Sequence, residues 1–392
     1  MVARRRSSVL AVMIPKKIFI SAGESSGDLY ASELMRELGK DWPAVEWFGC
    51  AGPRMQKAGV EAVVDARSLS VVGLVEVVSH LPRIYGEYRK LLRAIAERRP
   101  DFVILTDSPD FHLRVAKKVH AMGIPVYYLV APQAWAWRQG RVRGMRETIR
   151  KLFCLFPFEE PWYRERGVEA HYIGHPLARI VKPSMERGEW LRKHGIDEGK
   201  LVIALLPGSR RGEIGRHLPA LDEAVGLLER QIEASYVLAA PVGFTEKAGN
   251  AFFRERISRR TIQVIEGETW DVLAHANLAL AASGTVTMEA ALLGTPLITY
   301  YKVTGVSWML GRFLVDVPFY SMVNLIAGRR LAPELMQNEM TGERIAHETM
   351  KLLQDKQALN EMRRGLGEIR ARLESEVDPM VRAARIIRES FR

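Results

Sequence analysis

From Lys17 onward, short apolar runs alternate with stretches of helical period, and the whole series starts again at Leu201. The first series reads IFISAG, a helical pattern over Leu29–Leu38, VEWFGCAG, FVILT, a helix around Leu113–Met122, PVYYLVAP, KLFCLF, a helix over Pro161–Arg166 and HYIGHPLA. The second reads LVIALLPG, a helix near Leu218–Arg230, SYVLAA, a helix at Glu246–Ile257, TIQVIEG, a helix at Trp270–Ala276, ANLALAASG, a helix at Val286–Leu293 and TPLITYY. Runs that are apolar at nearly every position have no face to give to water. Set between helices, they imply βαβ units, with a parallel sheet covered on both sides. The grammar occurs twice, so the expected fold class is α/β, two doubly wound Rossmann-like domains in tandem followed by C-terminal helices. The expected divisions are an N-terminal extension over 1–15, a first domain over 16–175, a second over 176–349, and a helical segment over 350–392 that packs back across the domains.

A chain of 392 residues exceeds one ordinary hydrophobic core. Cys50 and Cys154 are the only cysteines. They lie far apart in apolar surroundings, outside any metal-type or redox spacing, and read as buried thiols of a reducing compartment. No apolar run is long enough to span a bilayer. The formal charge of +11 favours an anionic partner without choosing among nucleic acid, lipid and a phosphorylated substrate. The start, MVARRRSSVLAVMIPKK, imitates a signal peptide, but its apolar run is short and no cleavage site follows. Met13 is a second candidate start, which makes the first 15 residues dispensable.

Ligands of doubly wound sheets bind at the carboxyl ends of the strands, so the loops there carry the chemistry. In SAGESSGD, Gly23 and Gly27 permit a tight turn, and Ser26 or Asp28 is placed to cap the next helix. Glu24 has no part in that and, with Ser26, is a candidate for holding sugar hydroxyls. In TDSPDFH, Asp107 and Asp110 suit a plain turn around Pro109. Asp107 also leaves the sheet at a cleft edge, where a low-dielectric wall raises a carboxylate's pKa and a general base is needed. APQAWAWRQGRVR gathers Trp135 and Trp137 with Arg138, Arg141 and Arg143. That cluster suits single-stranded nucleic acid, a core tryptophan with a solvated helix face, or a sugar phosphate. In LLPGSRRGEI, Gly208 and Ser209 let backbone amides approach an anion, and Arg210 adds a donor fork. The alternative there is a short loop with exposed arginines. In ASGTVTMEAAL, Ser283, Gly284 and Thr285 open a helix whose dipole can hold a diphosphate, and Glu289 lies one turn in, toward a ribose diol. Capping alone would also explain Ser283 and Thr285.

The segment Leu69–Ile95 exposes more apolar residues in its first half than one face needs, and Arg83, Arg89, Lys90 and Arg93 follow. It reads either as a core helix broken at Pro82 or as an interfacial patch for acyl chains and anionic headgroups. Val306–Val315 is a weaker second patch.

The ordered set SAGESSGD, GCAGPRMQKAG, DSPDFH, QAWAWRQGR, FPFE, YIGHP, LLPGSRRGEI, ASGTVTMEAAL and VNLIAGRRLAPELMQ resembles the lipid-A-disaccharide synthase family, from about Ile18 to about Gln337. The resemblance implies an inverting glycosyltransferase of GT-B architecture, whose first domain takes the acceptor and whose second binds the UDP-sugar. It implies transfer of 2,3-diacylglucosamine from its UDP derivative to the 6-hydroxyl of 2,3-diacylglucosamine 1-phosphate, giving a β-1,6 disaccharide and UDP, with no cofactor and no metal. By matching motif, Asp107 would be the general base, Glu24 and Ser26 active-site groups near the sugars, Arg210 and Asn324 important for activity, and Glu289 a nucleotide contact. Together with the reading of the strand-end loops, this makes Glu24, Ser26, Arg138 and Asn324 the expected substrate contacts, and Gly208, Ser209, Arg210, Ser283, Gly284, Thr285 and Glu289 the expected UDP site. The family's setting is the inner face of the cytoplasmic membrane, which implies a cytoplasmic protein held peripherally on an anionic lipid surface. Where the family often has proline before the asparagine, this chain has Val323. The C-terminal helical region is long enough to exchange between copies, which leaves a homodimer open.

The enzymatic rivals are other UDP-sugar enzymes of the same double fold, an epimerase or the transferase of peptidoglycan lipid intermediates. A nucleic-acid module is the rival from another class. It would bind oligonucleotides with a steep salt dependence and turn nothing over.

Overall fold

The computed structural model describes residues 14–68, 74–208, 211–244, 262–305 and 317–391. Several expectations fall outside these residues: nearly all of the N-terminal extension, the start of the apolar flank at 69–73, the helix at Glu246–Ile257, and the second patch at Val306–Val315. The chain divides into two compact units, residues up to Pro176 together with those from Ser375 onward, and Leu177–Glu374 between them.

The first unit is built on β1 (Lys17–Ala22), β2 (Glu46–Ala51), β3 (Glu61–Asp65), β4 (Phe102–Thr106), β5 (Val126–Leu129), β6 (Lys151–Cys154) and β7 (Ala170–Tyr172). They form a seven-stranded sheet in the order β3-β2-β1-β4-β5-β6-β7. Every pairing is parallel. Along β4 the side chains alternate between two cores. Val103 and Leu105 enter one with Phe19, Phe48 and Leu91, while Phe102 and Ile104 enter the other with Ile18, Ile20 and Leu34. Both faces are covered, so all five β4 residues are buried and the uniform apolar run is explained.

The last helix, Pro379–Phe391, closes the second of these cores. Met380, Ala383, Ala384, Ile387 and Phe391 join it, and the Phe391 ring meets Phe102 at 5.2 Å and Trp42 at 5.9 Å. Burying a side chain of that size contributes about 1.5–3 kcal/mol. The two preceding helices, Gly342–Gln354 and Lys356–Leu373, belong instead to the second unit. The C-terminal segment is therefore split, and only its end returns to the first unit.

The second unit holds β8 (Leu201–Leu206), β9 (Ala234–Ala240), β10 (Ile262–Glu266), β11 (Leu278–Ala282), β12 (Leu297–Tyr301) and β13 (Glu334–Met336). Their order is β10-β9-β8-β11-β12-β13, again parallel throughout.

Each sheet reverses its winding once, between β1 and β4 in the first unit and between β8 and β11 in the second. Loops leaving neighbouring strands diverge at such a point and open a crevice there. The four loops so placed are those after Ala22, Thr106, Leu206 and Ala282.

The helix Leu74–Arg98 runs through Pro82 without a break, contrary to the reading of a helix broken there. From Pro82 onward, Leu91, Ala94 and Ile95 turn inward, while Arg83, Arg89, Lys90 and Arg93 are exposed. No helix among the described residues is long and apolar enough to cross a membrane.

Candidate active site

At the first winding reversal, β4 delivers Asp107 against the loop after β1. Its Oδ1 accepts the Gly23 amide at 2.9 Å, and its Oδ2 accepts the Glu24 amide at 3.2 Å. The side chain is only 9% exposed. Burial pushes its pKa up to about 7, with the Glu24 charge adding to the rise and the two amides opposing it. Such a carboxyl is divided between acid and base forms near neutral pH, which suits a general base.

The glycines of the β1 loop are fitted to this carboxylate. A Cβ on Gly27 would stand 1.6 Å from Asp107 Oδ2, and one on Gly23 would stand 2.2 Å from Ser108 Oγ. Real Cβ atoms do not approach so closely, so both positions exclude a side chain. Glu24 and Ser26 are exposed beside them. The helix Ser25–Gly39 begins on Glu24 without a side-chain cap, so the expected cap by Ser26 or Asp28 is not made. Asp28 serves a different helix: it accepts the amides of Arg54 at 2.9 Å and Met55 at 3.1 Å, at the start of Pro53–Lys57.

Asp110, three residues beyond Asp107, is 61% exposed and pairs with Arg138 at 2.6 Å and with Arg141. Both guanidinium groups also lie on the Trp137 ring, at 4.5 and 4.8 Å. Trp135 is buried, its indole donating to Glu159 Oε1 at 3.0 Å. The two tryptophans thus divide, one structural and one stacked under cations near the surface. Burial pushes the Glu159 carboxyl up to about 7, though it is held by Trp135 and by the amides of Phe156 and Leu155.

The second winding reversal has the opposite polarity. The helix Thr285–Leu293 starts on Gly284 with no side-chain cap; the Thr287 amide bonds back to the Gly284 carbonyl at 3.1 Å, which leaves the amides of Thr285 and Val286 as the donors an anion would use. Ser283 does not cap it either, because its Oγ donates to the Tyr320 carbonyl at 3.1 Å. Across β8, Gly208 has φ 111°, and a Cβ there would stand 2.9 Å from Glu213 Oε2; only glycine makes that turn easily. Ser209 and Arg210 lie outside the described residues. Glu289 is half-buried, its side chain hydrogen-bonded to Trp270, and burial raises its pKa.

Asn324 is fully buried, which removes it from direct contact with a ligand. Its Nδ2 donates to the carbonyl of Ala332 and to Glu334 Oε1, both at 2.9 Å. Its Oδ1 accepts the amides of Leu331 and Ala332, both at 2.8 Å. The same Glu334 accepts the amides of Tyr320 and Ser321 at 3.1 and 2.8 Å. Asn324 and Glu334 thus fix the Tyr320–Ser321 segment, whose Tyr320 carbonyl accepts the Ser283 hydroxyl. The charge of Glu334, inside a strand where charge is costly, marks this network, and sequence reasoning passed over it. His112 and Tyr128, which hold the main chain of Asp107, were also passed over. Among the described residues, no group of three or more His, Cys, Asp or Glu side chains is placed to hold a metal ion.

Two doubly wound parallel units define a protein of the GT-B class. Solved structures share the architecture: a UDP-GlcNAc 2-epimerase of Neisseria meningitidis bound to UDP-GlcNAc, at TM-score 0.60 and 13% identity over 95% of this chain and 99% of that one, and MurG of Acinetobacter baumannii, at TM-score 0.57 and 16% identity over 96% and 100%. Identities that low establish the fold and nothing more. The family model described as lipid-A-disaccharide synthetase matches residues 18–384. A lipid-A-disaccharide synthase of Solibacter usitatus is 58% identical over 95% of this chain and 97% of its own, and one of Myxococcus xanthus is 42% identical over 96% and 97%. The chain belongs to the lipid-A-disaccharide synthase family and is a glycosyltransferase.

Proposed function

We propose that the enzyme transfers 2,3-diacylglucosamine from its UDP derivative to the 6-hydroxyl of 2,3-diacylglucosamine 1-phosphate, in a single displacement that inverts the anomeric carbon. The observation that carries this is the seat of Asp107, a buried carboxylate anchored by two amides where the first sheet reverses its winding. In the proposed step the acceptor hydroxyl gives its proton to Asp107 as its oxygen bonds to the sugar C1. The C1–O bond to UDP breaks, and its electron pair leaves on the diphosphate. The uncapped start of Thr285–Leu293 and the turn at Gly208 receive that charge through backbone amides. Arg210, read from the sequence alone, adds a cation. Ser283 and Asn324 shape the loop beside the nucleotide, and Glu289 takes the ribose. Glu24 and Ser26 line the sugar side, and Arg138 with Arg141 meets the acceptor phosphate in exchange for Asp110.

The acyl chains bring the enzyme to a lipid surface. The exposed row Arg83, Arg89, Lys90 and Arg93 supports peripheral association with anionic headgroups on the cytoplasmic side.

The test is a product assay by mass spectrometry, in detergent and with chelator present. Disaccharide 1-phosphate and UDP from the wild type, nearly abolished by Asp107→Ala, is the expected result. Undiminished product from the variant removes Asp107 as base. An epimerised UDP-sugar in place of disaccharide supports the rival activity.

A further inference from the structure

Asp107 and Ser108 both occupy left-handed backbone, which an aspartate tolerates singly but which is uncommon as a consecutive pair. The φ of Asp107 is 52°, and that of Ser108 is 38°. Two consecutive non-glycine residues in the left-handed region are disfavoured by the close approach of Cβ to the following carbonyl oxygen. Such strain persists only where the surroundings enforce it.

The Ser108 carbonyl accepts the helix amides of Phe111 and His112 at 3.0 and 2.9 Å, and the buried side chains converge on the main-chain oxygen of Asp107. It accepts the Tyr128 hydroxyl at 2.5 Å and lies 3.0 Å from His112 Nδ1. His112 and Tyr128 are both fully buried. On its other side His112 Nε2 is 2.7 Å from Ser21 Oγ. Burial pushes the His112 pKa down to about 4, so the ring is neutral at physiological pH and carries one proton. A carbonyl can only accept, which places that proton on Nδ1 and leaves Nε2 to accept from Ser21. Burial also raises the Tyr128 pKa well above its ordinary value and keeps the hydroxyl a donor. Three neighbouring strands thus converge on one oxygen: β4 supplies it, β5 binds it through Tyr128, and β1 reaches it through Ser21 and His112.

We propose that His112 and Tyr128, with Ser21 behind His112, are positioning residues that hold Asp107 in its left-handed backbone and so aim its carboxylate at the Gly23 and Glu24 amides and the reacting hydroxyl. The inference rests on Asp107 as the base. Without the two donors the peptide relaxes toward ordinary backbone angles, and the carboxylate swings from its buried seat. Other groups acting on that carboxylate are Glu24 and Ser108 beside it and Cys50, whose thiol feels its charge. Arg141 and Asp110 act within reach of Tyr128. None of these is altered in the test.

The full-length protein is compared with Tyr128→Phe, His112→Leu, His112→Asn and Asp107→Asn, measuring kcat, KM for both substrates, the pH profile of kcat/KM and the melting temperature. Tyr128→Phe and His112→Leu are expected to lower kcat about 10- to 100-fold with KM nearly unchanged. Their acidic limb moves down from about 7 as the carboxylate becomes solvated. His112→Asn, whose amide N–H replaces Nδ1–H, recovers most of the rate. If His112→Leu does not fold, Tyr128→Phe, which keeps its ring, still decides. An unmoved acidic limb and unchanged kcat in Tyr128→Phe overturns the proposal. So does His112→Asn behaving like His112→Leu. Asp107→Asn retaining full activity overturns the base itself, whereas an inactive Asp107→Asn beside unaffected Tyr128 and His112 variants overturns the positioning alone.

Discussion

The two units reverse their winding at equivalent places, yet they offer opposite chemistry there. In the first, the backbone amides of Gly23 and Glu24 are already taken by a carboxylate of the chain itself. In the second, the helix from Thr285 begins on Gly284 with its amides uncapped. The end of the first sheet is thereby filled by a carboxylate of the chain itself, and the end of the second carries no such side chain, which under the proposed function is where the diphosphate docks. The winding reversal falls at the equivalent place in both sheets, and what differs there is the residue: the carboxylate of Asp107 in the first and the bare Gly284 in the second.

The comparison is broken most directly at Asp107. Asp107→Ala is expected to lower kcat by a factor of roughly 100 to 10,000 without weakening UDP-sugar binding, checked by steady-state kinetics and a binding isotherm. Next is Gly27→Ala. Helix propensity favours alanine there by about 0.5–1 kcal/mol, but the new Cβ meets the Asp107 carboxylate. Turnover should fall about 100-fold in a protein whose circular dichroism is unchanged.

Asn324→Ala strips the buried amides of Leu331 and Ala332 of their acceptor. A loss of about 1–3 kcal/mol per stranded group is expected in chemical denaturation. Gly284→Asp makes the second unit resemble the first by closing its open amides with a carboxylate. It should stabilise the helix by a few tenths of a kcal/mol, raise KM for UDP-sugar about tenfold, equivalent to about 1.4 kcal/mol, and leave the Asp107 pH limb in place.

The comparison also extends to stability against pH. The folded pKa of Asp107, about 7, lies above its ordinary value, which is about 3.9 when unfolded. Its contribution is therefore fully present below about pH 4, is lost as pH rises through 7, and is flat beyond. The melting temperature of Asp107→Asn relative to wild type should rise across that window by a few degrees.

The central strands were legible because burial on both faces makes them apolar at every position. The edge strands β3 and β13 were not, since of β3 only Val64 is buried and β13 carries the buried charge of Glu334. Residue types at strand ends marked Asp107, Gly208 and Gly284 as members of a site. Their partners were less accessible to a linear reading. Gly23 and Gly27 read as turn formers, whereas their bareness makes room for a side chain some eighty residues on. Asp28 read as a cap for its own helix but caps one from 26 residues away. His112 stood in the quoted motif, but nothing in its spacing reveals that its ring joins Ser21 to the Asp107 carbonyl.

The most direct measurement is the titration of the Asp107 carboxyl carbon by NMR, in protein labelled at aspartate and assigned with Asp107→Asn, alongside the pH profile of kcat/KM. A midpoint near 7 that coincides with the acidic limb is the predicted result. A carboxyl titrating near 4, with activity unchanged through that range, would contradict the assignment of Asp107 as a base tuned by its burial.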